Sequence, residues 1–161
     1  VPFKGYVVGG GLVPVSDLPD ICPDEFDGLG DFVFLTAVSG QISGLGETTV
    51  DIYTGIYFSD IVDGDDVVTL RQLDIYTAAN GDEVWAYSTS VATWVPNSEG
   101  GISFPSQDII GIESTICGGT GRFEGAEGSY EFLVRIDGTV LEAWFDGTIS
   151  TVGSRGGNGK K

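Results

Sequence analysis

Carboxylates dominate the side chains of this sequence that could take part in chemistry. Asp60, Asp63, Asp65 and Asp66 cluster around one glycine, and oxygen ligands at this density suit Ca²⁺. A second acidic group lies within residues 17–31, and its members are Asp17, Asp20, Asp24, Glu25, Asp27 and Asp31. Neither group has the spacing of an EF-hand loop, and turns favour Asp in any case. Calcium sites and ordinary acidic turns therefore both remain open, and no other cofactor is expected.

The sequence contains no histidine, which excludes His-ligated metals, Ser-His-Asp triads and Cys-His dyads. Acid–base chemistry must therefore come from Asp, Glu, Tyr, Lys or Cys. Arg71 and Glu113 are the catalytic candidates, because each interrupts an otherwise apolar strand pattern. A buried guanidinium and carboxylate could orient a substrate carbonyl or transfer a proton. The alternative is that both point outward or form a structural ion pair.

Aromatic side chains are numerous for a chain of 161 residues, and they could line a cavity for a hydrophobic small molecule or a sugar. The candidates are Tyr53, Tyr57, Trp85, Tyr87, Trp94 and Trp144. The alternative is packing between strands, since aromatic residues favour strands and protein cores.

The charge of the chain excludes two classes of partner. Its 24 acidic and 7 basic side chains give a net charge of −17. Such a surface repels nucleic acid and anionic lipid, so neither is expected to bind. No apolar run approaches about 18 residues, so no membrane span is predicted.

The two cysteines, Cys22 and Cys117, are expected to form a disulfide, because an even cysteine count in an exported protein usually means pairing. Two buried thiols are the alternative. A secreted or periplasmic location is expected. A chain that starts Val-Pro-Phe and contains no Met is typical of one whose leader has been removed, or of a trimmed one.

Alternation of apolar and polar residues predicts antiparallel strands along most of the chain. It is clearest in residues 47–58, 67–77, 83–95, 129–137 and 139–150. Asn80-Gly81 and Asp137-Gly138 are typical of hairpin turns. This spacing predicts one all-β domain over residues 1–153 with seven or eight strands, either a closed antiparallel barrel or a sandwich. A barrel is preferred because closure removes sheet edges.

Two segments are expected to lie outside the strands. Residues 9–31 combine glycines, prolines and acidic residues, which predicts a long irregular loop that serves as a lid or plug. The Gly-rich basic tail at residues 154–161 is expected to be flexible.

Residues 119–128 read Gly-Thr-Gly-Arg-Phe-Glu-Gly-Ala-Glu-Gly, and further Gly-rich or hairpin-like segments lie at residues 40–46, 76–83 and 145–150. In order and spacing they resemble a group of small secreted bacterial barrels related to allene oxide cyclase and dirigent proteins. Arg122 and Glu124 within the motif are expected to lock a hairpin rather than to act in catalysis.

The resemblance implies a closed antiparallel barrel of about eight strands. Such relatives cyclise or orient reactive intermediates in an apolar cavity without a cofactor, and dirigent-like relatives form homo-oligomers. The expected function is therefore the binding of a hydrophobic small molecule in the barrel, or a structural or interaction role. The alternative is a cofactor-free cyclase or isomerase that acts on a reactive intermediate in the same cavity.

Overall fold

The computed structural model describes residues 1–22, 29–61, 67–96, 98 and 102–151, with only the backbone of residues 60 and 102. The strands are β1 (Pro2–Pro14), β2 (Phe32–Ile42), β3 (Gly46–Ile56), β4 (Val67–Ala78), β5 (Glu83–Thr93), β6 (Val95–Pro96), β7 (Ile102–Ser103), β8 (Gln107–Gly119), β9 (Glu127–Asp137) and β10 (Val140–Ser150). The eight long strands are antiparallel and form a closed barrel in the order β1-β10-β9-β8-β5-β4-β3-β2, and the short strands β6 and β7 pair as a separate ribbon. The predicted closed eight-stranded barrel is confirmed.

The hairpin turns follow from residues that tolerate a left-handed backbone. Gly81 has φ of +92° in the β4–β5 turn, and Gly138 has φ of +62° in the β9–β10 turn. Glycine adopts such angles without the steric penalty of a Cβ atom. In β3 the alternation also gives the expected result, because every second residue from Thr48 to Ile56 is buried.

The prediction of an irregular loop from residue 9 is wrong at its start, because strand β1 continues through the glycine run to Pro14. A Cβ atom on Gly9 would overlap the backbone of β2, and one on Gly10 would overlap the backbone of the β9–β10 turn. The register to β2 shifts between Gly10 and Val13, and Gly11 has φ of +87°. These glycines therefore let β1 lie close between β2 and β10, where the barrel closes.

The described residues between β1 and β2 that follow Ser16 pack on the outside of the barrel. Cys22 forms a disulfide with Cys117 of β8, with the two Cα atoms 5.6 Å apart, as predicted. Ile21 and Leu29 pack with Leu73 of β4 in a cluster on the outer wall. The described part of this segment is thus a cover on the barrel wall rather than a lid or plug.

The interior contains two separate hydrophobic clusters. The larger fills one half of the barrel with aromatic rings, among them Phe3, Tyr76, Tyr130 and Phe145. Tyr76 and Tyr130 contact each other and both phenylalanines, with ring centroids 5.1–5.9 Å apart. The smaller cluster lies toward the other end and includes Phe34, Ile56, Val68, Leu70 and Ala92. One half of the interior is therefore packed with side chains, and the other half borders a cavity.

Candidate functional site

A cavity of about 250 Å³ lies inside the barrel at the end that carries the β9–β10 turn. Its wall is mainly apolar, and its larger apolar side chains are Leu12, Phe34, Ile52, Leu70, Phe104, Ile109, Ile112, Val134, Ile136, Val140 and Leu141. Thr36, Thr54 and Gln72, on the neighbouring strands β2, β3 and β4, add polar side chains to this wall. Ser103 of β7 and Thr139 of the β9–β10 turn add two more. An apolar concavity with a few placed polar groups is the usual form of a small-molecule site.

A buried hydrogen-bonded chain leads from the cavity wall into the packed half of the barrel. Gln72 Nε2 donates to Asp74 Oδ1 at 3.4 Å, and Tyr130 Oη donates to Asp74 Oδ2 at 3.3 Å. The hydroxyls of Tyr130 and Tyr76 also share a hydrogen bond. Gln72 thus separates the cavity from a carboxyl group and two phenols that are all buried.

Burial shifts the pKa values of the carboxyl group and the two phenols in this hydrogen-bonded chain. Asp74 is 2% exposed, and desolvation raises its pKa to about 7, although hydrogen bonds from Gln72 and Tyr130 partly oppose the rise. Burial also raises the pKa of Tyr76 and of Tyr130 well above the usual range for a phenol. Asp74 therefore changes charge near neutral pH, while both tyrosines stay protonated.

A row of polar side chains crosses the interior on five neighbouring strands. Cross-strand pairing places Thr54 beside Gln72, Gln72 beside Ser88, Ser88 beside Ser114 and Ser114 beside Tyr130. Asp74 and Ser90 lie two residues along β4 and β5, on the same inward faces. We call these seven residues the polar belt: Thr54, Gln72, Asp74, Ser88, Ser90, Ser114 and Tyr130.

The serines on β5 stand out within the polar belt. Ser88 is 3% exposed and Ser90 is 9% exposed. Neither hydroxyl has a hydrogen-bond partner among the residues that the structure describes. A buried hydroxyl without a partner is uncommon, because losing its hydrogen bonds to water costs about 1–3 kcal/mol.

The structure does not bring Arg71 and Glu113 together at the cavity. Arg71 lies on the outer wall of β4, with its guanidinium carbon 4.8 Å from the centre of the Tyr57 ring. Glu113 is exposed on the outer face of β8, and β5 lies between these two strands. The apolar neighbours of Arg71 along β4 suggested an interior face, but they are apolar because the outer cluster covers them.

None of the six aromatic candidates is among the residues that line this cavity in the described part of the chain. Tyr53, Trp85 and Tyr87 pack into the outer cluster beside the disulfide, and Tyr57 lies against Arg71. Trp94 packs against the smaller interior cluster. Trp144 is on the outer wall, where its ring lies 5.2 Å from that of Tyr6.

The two acidic groups fall largely outside the described residues. Asp63, Asp65 and Asp66 lie there, as does the side chain of Asp60. Asp24, Glu25 and Asp27 of the second group lie there too, whereas Asp31 Oδ2 accepts a hydrogen bond from the Phe58 amide at 2.8 Å. In the described ranges no three His, Cys, Asp or Glu residues are arranged to hold a metal ion. Calcium binding at either group stays a prediction.

The glycine motif forms the β8–β9 connection, at the packed end of the barrel. Arg122 Nε lies 3.5 Å from Asp82 Oδ2, and the Arg122 amide donates to the same carboxylate at 3.4 Å. A Cβ atom on Gly121, whose φ is +58°, would overlap the Asp82 carboxylate. Arg122 therefore ties this connection to the β4–β5 hairpin, which is the locking role expected of it.

The sequence analysis did not identify Gln72, Asp74 or the serines of the polar belt. For the two residues on β4, however, the alternation of side chains carries a signal. Gln72 and Asp74 alternate in phase with Val68, Leu70 and Tyr76, all of which are buried. Because side chains alternate along a strand, the pattern places these two polar residues on one face with the apolar ones. A carboxyl group on so apolar a strand face is the signal that was overlooked.

Comparisons with protein families, with curated proteins and with solved structures find no significant match to this chain. No helix among the described residues is long and apolar enough to cross a membrane. The functional argument therefore rests on the geometry of the barrel interior.

Proposed function

We propose that this protein binds a small hydrophobic molecule inside the barrel. The observation that carries the proposal is the cavity of about 250 Å³ with its mainly apolar wall. Typical small-molecule pockets measure about 300–1,000 Å³, so the ligand belongs to the small end of that range. Leu12 and Val140 at the cavity are 57% and 45% exposed, and a bound apolar molecule would shield them from water.

The proposal is tested with p-cymene, a neutral hydrocarbon probe, in calorimetric titrations of the intact protein. We expect saturable binding, and we expect Ile136→Trp to abolish it, because Ile136 lines the cavity and a larger ring would fill the space. Ile110→Trp is the matched control, since Ile110 is 71% exposed on the outside, and it should bind like the wild type. Equal binding by both variants would leave a structural or interaction role, and so would the absence of saturable binding both of p-cymene and of its hydroxyl-bearing analogue 4-isopropylbenzyl alcohol.

We also propose that the protein is exported and is related to the allene oxide cyclase and dirigent barrels. The disulfide supports export, because such bonds persist mainly in oxidising compartments. The motif at residues 119–128 supports the relationship, and the barrel is the fold that the resemblance implies, although many unrelated functions share such shapes. Thiol titration of denatured protein from its natural source should find no free thiol before reduction.

A cofactor-free isomerase or cyclase is the second candidate, and Asp74 is the observation that favours it. A carboxyl group with a pKa of about 7 can give and take a proton near neutral pH. It would remove a proton from carbon next to a substrate carbonyl and return a proton to the product. Because Gln72 lies between Asp74 and the cavity, its side chain would have to turn aside.

This candidate is tested with menthone, a small ketone with exchangeable protons beside its carbonyl. In deuterium oxide the wild type should catalyse deuterium uptake, measured by mass spectrometry, and Asp74→Asn should lose that activity while still binding menthone. Equal uptake with the wild type, with Asp74→Asn and without protein would overturn the enzymatic candidate.

A further inference from the structure

We infer that the cavity selects ligands with one uncharged hydrogen-bonding group, a hydroxyl or a carbonyl, which docks against the polar belt while the apolar body fills the cavity. The inference rests on the proposed function and narrows it to a class of ligand. It starts from the position of the belt, since Thr54 and Gln72 belong both to the belt and to the cavity wall. A ligand in the cavity therefore meets polar groups on one side and apolar side chains on the others.

The hydroxyls of Ser88 and Ser90 are the second observation. Ser88 pairs across the sheet with Gln72, and Ser90 pairs with Leu70, so each lies next to a residue of the cavity wall. Both hydroxyls are at least nine-tenths buried and lack a partner in the described part of the chain. Because buried polar groups in proteins nearly always have a partner, a ligand oxygen at the belt would account for them.

Gln72 gives the belt both kinds of hydrogen-bonding group. One N–H of its amide goes to Asp74, and an amide side chain also carries a second N–H and a carbonyl oxygen. A hydroxyl can donate to that carbonyl oxygen and accept from an N–H or a serine, and a carbonyl can accept. A hydrocarbon of the same shape would leave the belt without these bonds.

Charge on the ligand works against binding. Among the described residues no Lys or Arg lines the cavity, and the protein carries a net charge of −17, so a carboxylate would meet no cation and an unfavourable field. Asp74 is neutral below about pH 7 because burial raises its pKa, so an ammonium group would find no ionised partner at pH 6. Transfer of either ion out of water without a partner is unfavourable.

The test uses four para-substituted isopropylbenzenes that differ in one group and are titrated calorimetrically at pH 6. They are p-cymene, 4-isopropylbenzyl alcohol, 4-isopropylbenzoate and 4-isopropylbenzylammonium. The readout is the ratio of the Kd for p-cymene to the Kd for the alcohol, because a ratio removes effects common to the shared hydrocarbon body. We expect both ions to bind at least about tenfold more weakly than the alcohol.

Two variants of the belt decide the question. Gln72→Met and Ser88→Ala should each lower the p-cymene to alcohol ratio by about three- to tenfold, the worth of one net hydrogen bond. Two variants are needed because Gln72 also bonds Asp74, whereas the Ser88 hydroxyl has no bond among the described residues to lose. Thr89→Val, on the exposed outer face of β5, is the control and should leave the ratio unchanged.

The outcomes separate the two proposals. If p-cymene binds and neither belt variant changes the ratio, the belt does not contact the ligand, and this inference is overturned while the proposed function stands. The same conclusion follows if either ion binds most tightly. If none of the four compounds binds, the proposed function itself is overturned, and this inference with it.

Discussion

Each face of strand β4 carries two residues that are unusual for a barrel wall, polar residues on the inner face and buried or partly buried apolar residues on the outer face. On the inner face, Gln72 and Asp74 are buried beside Leu70. On the outer face, Leu73 is buried and Ile75 is partly buried in the cluster beside the disulfide. The outer face is thus a packing surface, and the inner face carries the groups that could recognise a ligand. Burial alone therefore does not distinguish the residues that stabilise the fold from those that could bind a ligand. The polarity of the buried side chains on each face makes that distinction.

The largest effect should come from uncovering the outer face. In the chain-entropy description, a disulfide that links residues 95 apart stabilises the fold by about 4–5 kcal/mol. Cys22→Ser combined with Cys117→Ser should lower the free energy of unfolding by about that amount in urea titrations. The packing of Ile21 and Leu29 on β4 should weaken at the same time. A loss below about 1 kcal/mol would show that the segment covers β4 without the bond.

Ionisation of Asp74 on the inner face should give the next largest effect. Its pKa is about 7 in the folded protein and about 3.9 in the unfolded chain, so between these values the folded state holds a proton that the unfolded state has released. The free energy of unfolding should therefore fall as pH rises from about 4 to about 7, by on the order of 4 kcal/mol.

Asp74→Asn separates this effect from the general loss of acidic charge at low pH. The variant should lack most of the decline and should be more stable than the wild type at pH 7.5. Urea titrations at pH 4, 5.5 and 7.5 measure the difference. Parallel stability curves for the two proteins would show that Asp74 ionises normally.

Truncation on the outer face should have a smaller effect. Leu73→Ala removes a side chain that is 5% exposed and should cost about 2–3 kcal/mol, the lower part of the range of about 2–5 kcal/mol for buried leucines. Val91→Ala, on the exposed outer face of β5, should cost less than about 0.5 kcal/mol. If the two variants lose similar amounts of unfolding free energy in urea titrations, the residues around Ile21 and Leu29 do not bury the outer face of β4.

The smallest effect on stability is expected from Gln72→Met on the inner face. The two side chains are similar in shape, and the loss of one hydrogen bond to Asp74 should cost about 1 kcal/mol at most. Because that bond lowers the pKa of Asp74, its removal should move the pH-dependent decline in stability to higher pH. An unchanged pH profile in urea titrations would contradict this coupling.

The sequence contained enough information for the barrel, because alternation and turn residues are local patterns. It also predicted the disulfide, because an even cysteine count in an exported protein usually means pairing. The glycines of β1 were misinterpreted, because their role depends on how closely β2 and β10 approach, which no local pattern records. The prediction of the site residues was wrong for a related reason. Arg71 was assigned to the interior because its neighbours on the same strand face are apolar, and Trp85 because aromatic rings can line a cavity. Leu73 and Ile75 beside Arg71, and Trp85 itself, instead pack in the outer cluster under residues 21–22 and 29. When both faces of a strand are buried, alternation no longer identifies the inner one.

The seam between β1 and β10 has a kinetic consequence. The amino group of Val1 donates to the carbonyl of Ile149 at 2.9 Å, and the cavity takes Leu12 from β1 and Leu141 from β10. Contacts between residues so far apart in the chain give a high contact order, which is associated with folding in milliseconds to seconds rather than microseconds. Because both strands line the cavity, it is incomplete until β1 pairs with β10. We therefore expect stopped-flow refolding to show ligand-binding competence appearing in the slowest phase rather than with the first formation of strand structure.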